Sequence, residues 1–270
     1  MGIIIGQCGL CKNQKPLLES HLIPKSLYKI VVSKSLSMSP VLIKGGKENV
    51  FVKTSNQVKS HFLCCSCEGI LSKHGENHVL GYTYRNASKF KMQEILKGMR
   101  PEFEMDNSLV FSGNKILKIK ISHFVHFAAG VFWKASAGKW NFLRTKLSNN
   151  QLGKKYEKQF REFLLGVSQF PEKAVLTMSV SNEKEPFPIV ILPQYYKYDG
   201  YFQHRFYIPG IEFILWVGNL VPESQKNISI SHAAGGAFFF ECSDNSPLIR
   251  ETKGYLKNNV GKLRKVTKPA

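Results

Sequence analysis

The chain has few acidic residues and no long apolar run. Its 270 residues include 19 Asp and Glu against 38 Lys and Arg, which gives a formal net charge of +19 at pH 7. A charge of this size attracts polyanions, so nucleic acid or an anionic membrane surface is the expected class of partner. The best apolar run, residues 127–133, is much shorter than the roughly 20 residues that a spanning helix needs. Because the start also lacks the charged n-region of a signal peptide, the sequence predicts a cytoplasmic protein with no membrane partner.

Cysteine is scarce as well. Six cysteines are too few for a disulfide scaffold in a chain of this length. The rest of the composition is that of a globular protein, because 43% of the residues are hydrophobic and 12% are aromatic, which excludes disorder throughout. The sequence contains no internal repeat. Its length allows one large domain or two small ones.

Four of the cysteines form two Cys-x-x-Cys pairs, Cys8/Cys11 and Cys64/Cys67. Two such pairs supply the four thiolates that Zn²⁺ prefers in a tetrahedral structural site. A redox dithiol is disfavoured, because thioredoxin-like motifs have a single pair in a βαβ context, and the remaining alternative is a group of reduced core cysteines. Cys65 is either a spare thiol or an alternative ligand. The sequence therefore predicts a structural zinc site made of Cys8, Cys11, Cys64 and Cys67.

The residues around these pairs resemble a known family. Ser20-His21-Leu22-Ile23-Pro24 lies between the two pairs, and Glu68 directly follows the second. This order resembles HNH endonucleases, in which an acid-His-x-x-Pro turn and a second Cys-x-x-Cys followed by Asn or His form a ββα-metal active site on a zinc-stabilised treble-clef hairpin. It is more similar still to a set of uncharacterised prokaryotic proteins with the motifs Cys-x-x-Cys, Ser-His-Ile-Ile-Pro, Leu-Cys-x-x-Cys-Glu and Leu-Ser. Their Trp-Arg-Ala-Ser segment is matched by Trp133-Lys134-Ala135-Ser136, and the resemblance covers about residues 8–166.

The resemblance implies an HNH-like metal-dependent nuclease, a phosphodiesterase in which His21 is the general base and Glu68 binds Mg²⁺ or Mn²⁺. Two positions depart from the HNH pattern: Ser20 replaces an acid or His, and Glu68 replaces Asn or His. Glu19 is placed to assist, since it projects to the same side of a strand as His21. Glu76 is interpreted as a surface residue. If the catalytic pair has been lost, the chain is instead a non-catalytic zinc-stabilised module that binds nucleic acid or a protein. The resemblance to these prokaryotic proteins alone implies a role in anti-phage defence, with a protein partner from such a defence system.

Basic side chains surround the first cysteine pair and the His21 turn. They are placed to hold phosphates beside the candidate cation, which positions a duplex without reading its sequence. DNA is favoured over RNA as the partner. The alternative is a generally lysine-rich surface with no dedicated site. The predicted contact residues are Lys12, Lys15, Lys25 and Lys29.

The sequence predicts an α+β fold in three parts. Residues 1–110 form a zinc-stabilised treble-clef or HNH-like unit, in which residues 31–60 are an inserted loop or loose hairpin. Residues 111–250 form an α+β domain of two helices followed by antiparallel strands, and residues 251–270 form a basic tail or short basic helix. The first predicted element after residue 110 is a strand at 115–121. Two helices follow, at 122–135, where Ser122 caps the first turn, and at 152–165, where Gly166 ends the helix. The remaining predicted elements are strands at 174–180, 189–192, 212–217 and 236–241, with a hairpin turn at Asp199-Gly200.

Overall fold

The computed structural model describes residues 2–32, 41–45, 50–54, 57–86, 89–105, 108–116, 119–142, 145–146, 151–232, 237–241 and 245–258. The strands are β1 (Ile5–Gln7), β2 (Gln14–His21), β3 (Val41–Gly45), β4 (Val50–Thr54), β5 (Lys59–Cys64), β6 (Phe103–Met105), β7 (Ser108–Ser112), β8 (Asn141–Phe142), β9 (Thr145–Lys146), β10 (Ala174–Ser181), β11 (Val190–Tyr198), β12 (Tyr201–Ile208), β13 (Ile211–Gly218) and β14 (Ala237–Glu241). The helices are α1 (Lys25–Val32), α2 (Cys65–Leu71), α3 (Asn77–Val79), α4 (Lys91–Lys97), α5 (Ile121–Ala137), α6 (Gly153–Leu164), α7 (Glu223–Asn227) and α8 (Pro247–Asn258). A π-helical turn (Ser72–Glu76) joins α2 to α3. The predicted α+β class is confirmed.

The strands form one large sheet and two small ones. The large sheet has nine strands in the order β4-β3-β11-β12-β13-β10-β14-β7-β6. Two neighbours in it, β3 with β11 and β10 with β14, are parallel, and the other pairs are antiparallel. A three-stranded antiparallel sheet, β1-β2-β5, carries both cysteine pairs near its ends. The third sheet is the two-stranded pair β8-β9.

Helix α5 lies between the small cysteine-bearing sheet and the large sheet. On one side the ring of Phe132 packs against Phe206 of β12, with ring centroids 4.9 Å apart. On the other side Trp133 packs against Phe62 of β5, at a centroid distance of 5.4 Å. One continuous apolar core therefore includes buried residues of both sheets. No helix in the described part of the chain is both long enough and apolar enough to span a bilayer.

The large sheet draws strands from both sides of the predicted boundary at residues 110/111. That boundary lies within β7, and β3, β4 and β6 precede it in the chain. Residues 31–60 contain the hairpin β3-β4, which joins the large sheet through the parallel pairing of β3 with β11. The predicted tail begins inside α8, and residues 259–270 lie outside the described residues.

The predicted strand at 115–121 is wrong. Residue Lys115 ends a 3₁₀ turn, and Ile121 begins α5, which has Lys120 and not Ser122 at its N-cap. The backbone N–H of Ile119 donates to the carbonyl of Ile116 at 3.0 Å, and both side chains are buried. Of the apolar residues spaced as in a strand, Ile119 is buried at the end of this turn and Ile121 begins α5, while Leu117 lies outside the described residues.

The remaining helix and strand predictions are confirmed to within a few residues. Strands β10, β11, β13 and β14 cover the predicted segments, and β11 and β12 form a hairpin across residues 199–200. Gly166 ends α6 as predicted, with φ at 72°. Its N–H donates to the carbonyl of Phe163, and the N–H of Val167 donates to Glu162, both at 2.9 Å. This is the Schellman arrangement, in which a glycine takes the left-handed position beyond the helix.

Candidate metal centre

The structure brings the four predicted zinc ligands together. The Sγ atoms of Cys8, Cys11, Cys64 and Cys67 all lie within 4.8 Å of one another, and those of Cys11 and Cys64 are 4.0 Å apart. A tetrahedral zinc with Zn–S bonds of about 2.3 Å requires sulfur atoms about 3.8 Å apart. Sulfur atoms at these distances are too far apart for a disulfide. The set, called here the four-thiol site, fits a zinc ion, whereas Cys65 is exposed and lies outside it.

Local backbone hydrogen bonds fix the first pair. The N–H of Lys12 donates to the carbonyl of Cys8, and the N–H of Cys8 donates to Asn13, both at 2.9 Å. These bonds close a tight turn between β1 and β2. The N–H of Gly9 donates to the carbonyl of Phe62, so the turn is also joined to β5. Since Cys64 ends β5 and Cys67 lies in the first turn of α2, the sheet holds both pairs in register.

The electrostatics of the site favour a bound dication. Burial opposes ionisation of Cys8, but backbone N–H donors from Cys64, Cys11 and Leu10 outweigh it and lower the pKa of Cys8 to about 7. Burial and the neighbouring thiols raise the pKa of Cys67 far above its usual value. One thiolate therefore forms readily, while further ones repel it. A Zn²⁺ ion removes this repulsion, because it binds all four sulfurs as thiolates.

Lys12 occupies a strained position beside the site. Its φ is 65°, the one positive value at a non-glycine residue in the described ranges. A side chain in this left-handed region costs about 1–2 kcal/mol. The predicted nucleic-acid contact at Lys12 thus lies in the turn that carries the first cysteine pair.

Lys12→Gly is expected to raise the midpoint of thermal unfolding by about 1–3 °C, since relief of the strain outweighs the greater freedom of glycine in the unfolded chain. Differential scanning calorimetry of the zinc-loaded protein measures the shift. Lys15→Gly is the matched control, because it removes the same charge from strand β2, where glycine weakens a strand. A lower midpoint for Lys12→Gly would show that the lysine side chain stabilises the turn.

His21 ends strand β2, close in sequence to a buried turn. Its Nε2 lies 2.7 Å from Oε1 of Gln57. With the amide of Gln57 in this orientation its oxygen accepts, which assigns the proton to Nε2 and leaves Nδ1 as the acceptor atom of the ring. Leu22 and Ile23, which follow, are buried. The imidazole therefore lies at the end of the central strand of the small sheet, where Gln57 orients it.

The two residues before His21 are engaged elsewhere. Ser20 is buried, and its Oγ accepts a hydrogen bond of 3.0 Å from the N–H of Leu63. It therefore serves the sheet and is not placed as a metal ligand. Glu19 is exposed and pairs with Lys59 at 2.7 Å, and the hydrogen bond from that lysine lowers the pKa of Glu19.

Glu68 lies in the first turn of α2, directly after Cys67. Its Oε1 is buried and has no hydrogen-bond partner in the described part of the chain. A water molecule or a bound ion would supply a partner for such an oxygen. Within the described residues, however, the four-thiol site is the only set of three or more Cys, His, Asp or Glu ligand atoms close enough to share an ion. Glu68 and His21 are thus not part of a second preformed cation cluster.

The predicted phosphate contacts lie on separate elements of the small unit. Lys12 is exposed in the turn between β1 and β2, and Lys15 is half-buried on β2. Lys25 and Lys29 are both exposed on α1, four residues and thus about one turn apart. Lys25 and Lys29 therefore present two positive charges on the same side of α1.

Two residues that contact His21 were not predicted from the sequence, and the position predicted for a third nearby residue is wrong. Gln57 orients the imidazole, and the buried Lys134 donates to the carbonyl of His21 at 3.0 Å. Glu76 was predicted at the surface, but it is half-buried because it pairs with Lys134 at 3.1 Å. A lysine within the apolar run of α5 was the available signal for this contact.

The chain order around the site is strand, cysteine pair, strand, His21 turn, strand, cysteine pair and helix. Helix α1 and the hairpin β3-β4 lie between the His21 turn and β5. No protein-family model, curated protein or solved structure matches the chain.

Proposed function

We propose that this protein is an HNH-like phosphodiesterase that cleaves nucleic acid, DNA in preference to RNA, on a zinc-stabilised treble-clef unit. The observation that carries the proposal is the 2.7 Å contact between Nε2 of His21 and the side-chain amide of Gln57, which orients the imidazole. Gln57 holds Nε2–H, and Nδ1 is the acceptor atom at the end of the strand that follows the first cysteine pair. A neutral imidazole in a defined orientation is what a general base requires.

In the proposed reaction Nδ1 of His21 accepts a proton from water while the water oxygen attacks phosphorus. The P–O ester bond breaks, and the leaving alkoxide takes a proton from solvent. Gln57 keeps the ring oriented as it becomes positively charged. A zinc ion in the four-thiol site would have all four ligand positions filled by cysteine, so its role would be structural and not catalytic.

Glu68 is the proposed ligand for Mg²⁺ or Mn²⁺. Its unpartnered Oε1 supports a single protein contact to such an ion. Magnesium is commonly bound by one or two carboxylates, with waters and substrate phosphates filling the remaining positions. When bound, the ion would neutralise charge on the phosphate. A cation that depends on substrate for its other ligands agrees with the lack of a preformed cluster around Glu68 in the described chain.

Cleavage of supercoiled plasmid tests the proposal. The zinc-loaded protein is incubated with plasmid in Mg²⁺, in Mn²⁺, and in buffer without added divalent ions, and single-stranded DNA and RNA are assayed in parallel. Nicked or linear product with Mg²⁺ or Mn²⁺ supports a nuclease. If the protein retains its zinc but forms no product from any of these substrates, the nuclease proposal fails and the non-catalytic alternative described below is favoured.

The alternative is a non-catalytic zinc-stabilised module that binds nucleic acid or a protein. One observation favours it: Ser20, at the position of the usual HNH acid, is turned into the sheet and bonded to Leu63. The excess of 19 positive charges serves binding equally well. A role in prokaryotic anti-phage defence stays a prediction that rests on the resemblance alone.

Affinity for nucleic acid is expected to fall steeply with salt, because neutralising each phosphate releases counterions. The segment 259–270 contributes four basic residues and no acid. Changing those four to glutamine is expected to reduce the slope of log K against log salt, by up to about 0.9 for each phosphate of duplex DNA that the variant no longer neutralises. Fluorescence anisotropy measures the slope, and changing the three lysines to arginine is the charge-preserving control. Binding that does not depend on salt would point to a protein partner. The four residues are Lys262, Arg264, Lys265 and Lys268.

A further inference from the structure

A buried lysine connects three elements next to His21. Lys134 of α5 is 2% exposed. Its Nζ donates to the backbone carbonyl of His21 at 3.0 Å and to Oε1 of Glu76 at 3.1 Å. His21 ends β2, and Glu76 ends the π-helical turn (Ser72–Glu76), so one ammonium group joins the small sheet, the π-helical turn and α5.

A charge at this position is costly for folding. Taking an ammonium group out of water costs several kcal/mol unless it is paired and hydrogen-bonded, and an apolar side chain of similar size is often as stabilising or more so. The surroundings of Lys134 are apolar, since Trp133 and Phe132 beside it are also buried. Stability alone therefore does not explain a lysine here. The two acceptors, the carbonyl of His21 and the carboxylate of Glu76, explain the lysine, because an apolar side chain can donate a hydrogen bond to neither of them.

The backbone is arranged so that Glu76 reaches this lysine. Gly75 is buried where the π-helical turn crosses α5, and a Cβ at Gly75 would lie 2.9 Å from both the Cα and the N of Phe127. Only glycine permits so close an approach. The next residue, Glu76, is thereby brought within reach of Lys134, two helical turns along α5 from Phe127.

We propose that Lys134 is a positioning residue for His21, which fixes the backbone carbonyl of His21 while Gln57 fixes its ring. The inference rests on the proposed role of His21 as general base. Two anchors, one on the main chain and one on Nε2, define both the place and the orientation of Nδ1. The Lys134–Glu76 pair thereby couples the general base to α5, the helix that packs on the large sheet.

The test removes the anchor without leaving an unpaired charge. The double variant Lys134→Met with Glu76→Leu replaces the buried pair by apolar side chains, a change that is often neutral or stabilising. We expect it to retain its zinc and its thermal midpoint. Its kcat should fall by about 10- to 100-fold with KM changed less than about twofold, since a small misplacement of a catalytic group has effects of this size. The single variant Lys134→Arg, whose guanidinium can donate to both acceptors, should keep most of the kcat of the parent.

The matched control is a second buried ion pair of the described residues, Arg205–Glu212, which has an N–O distance of 3.1 Å and lies in the large sheet. Arg205→Met with Glu212→Leu makes the same chemical change there and should leave kcat unchanged. For all variants, ¹⁵N NMR reads the tautomer of the His21 imidazole. The Lys134/Glu76 double variant should lose the single Nε2–H tautomer, and the control should keep it.

The outcomes separate this inference from the proposed function. If the parent protein cleaves no substrate, the proposed nuclease function is overturned. A His21 tautomer that changes in the Lys134/Glu76 double variant and not in the control still supports the positioning role in that case. A changed tautomer with an unchanged kcat likewise supports positioning and overturns His21 as the base. An unchanged tautomer and an unchanged kcat in that variant overturn the positioning role, whatever the parent cleaves.

Discussion

Cys11→Ser is expected to release the zinc and to destabilise the protein strongly. Structural zinc supplies on the order of 10 kcal/mol of folding free energy in small zinc peptides, because the site does not exist in the unfolded chain. Cys11 is the most exposed of the four ligands, since the other three are buried. Serine at this position therefore perturbs packing little. The loss of stability should come mainly from the metal.

The effect of Cys11→Ser should extend beyond the small sheet. Trp133 of α5 contacts Phe62 of β5, and the same helix packs on the large sheet, so one core connects them. Near-ultraviolet circular dichroism and thermal unfolding should both change, because Trp133 and Trp140 both pack against Phe62 of β5. Because the large sheet shares this core, its far-ultraviolet signal should be lost at a lower temperature than in the parent.

Cys65→Ser is the matched control for this experiment. Cys65 lies next to Cys64 but is exposed and outside the four-thiol site. Its replacement should leave one zinc per chain by elemental analysis and an unchanged thermal midpoint. Fewer than one zinc in the parent purified without chelator would contradict the zinc assignment. A loss of zinc in Cys65→Ser would show that this thiol is a ligand.

The four-thiol site was predictable because each cysteine pair is local in sequence. A spacing of two residues places two thiols on one turn, and four thiolates on two turns have few other uses in a reduced protein. The Schellman end of α6 at Gly166 was predictable for the same reason, since the signal is contained within a few residues. The hairpin at residues 199–200 is a further local case.

The long-range partners were not predictable from the sequence. Hairpin β3-β4 joins the large sheet through β11, a strand about 150 residues further along the chain, and no local pattern specifies that pairing. Gln57 and Lys134 reach His21 from 36 and 113 residues away. The predicted strand at 115–121 failed because alternation over so few residues is also compatible with a buried turn.

His21→Ala is expected to abolish nuclease activity while zinc content and affinity for nucleic acid stay close to those of the parent. A general base contributes a rate factor of about 10² to 10⁴, and alanine supplies no acceptor. In the proposed site the zinc is bound by thiolates and the phosphates by lysines, so we expect neither to depend on the imidazole. The initial rate of plasmid nicking at saturating Mg²⁺ measures the loss.

His61→Ala is the matched control for His21→Ala. His61 is exposed on β5, the strand paired with β2, and lies opposite Glu19. Its removal deletes an imidazole from the same small sheet and should leave the cleavage rate unchanged. Equal losses in the two variants would show that histidine charge on this sheet, and not a base at His21, supports the rate.

Glu68→Gln separates the cation from the base. The substitution removes the charge of the carboxylate whose Oε1 has no partner among the described residues. It should raise the Mg²⁺ or Mn²⁺ concentration needed for half-maximal cleavage, with part of the rate recovered at high concentration, because a neutral amide is a weaker ligand for these ions. His21→Ala should show no such recovery. If His21→Ala cleaves as fast as the parent, the catalytic interpretation fails and the non-catalytic module takes its place, since zinc and lysines then account for all that the site does.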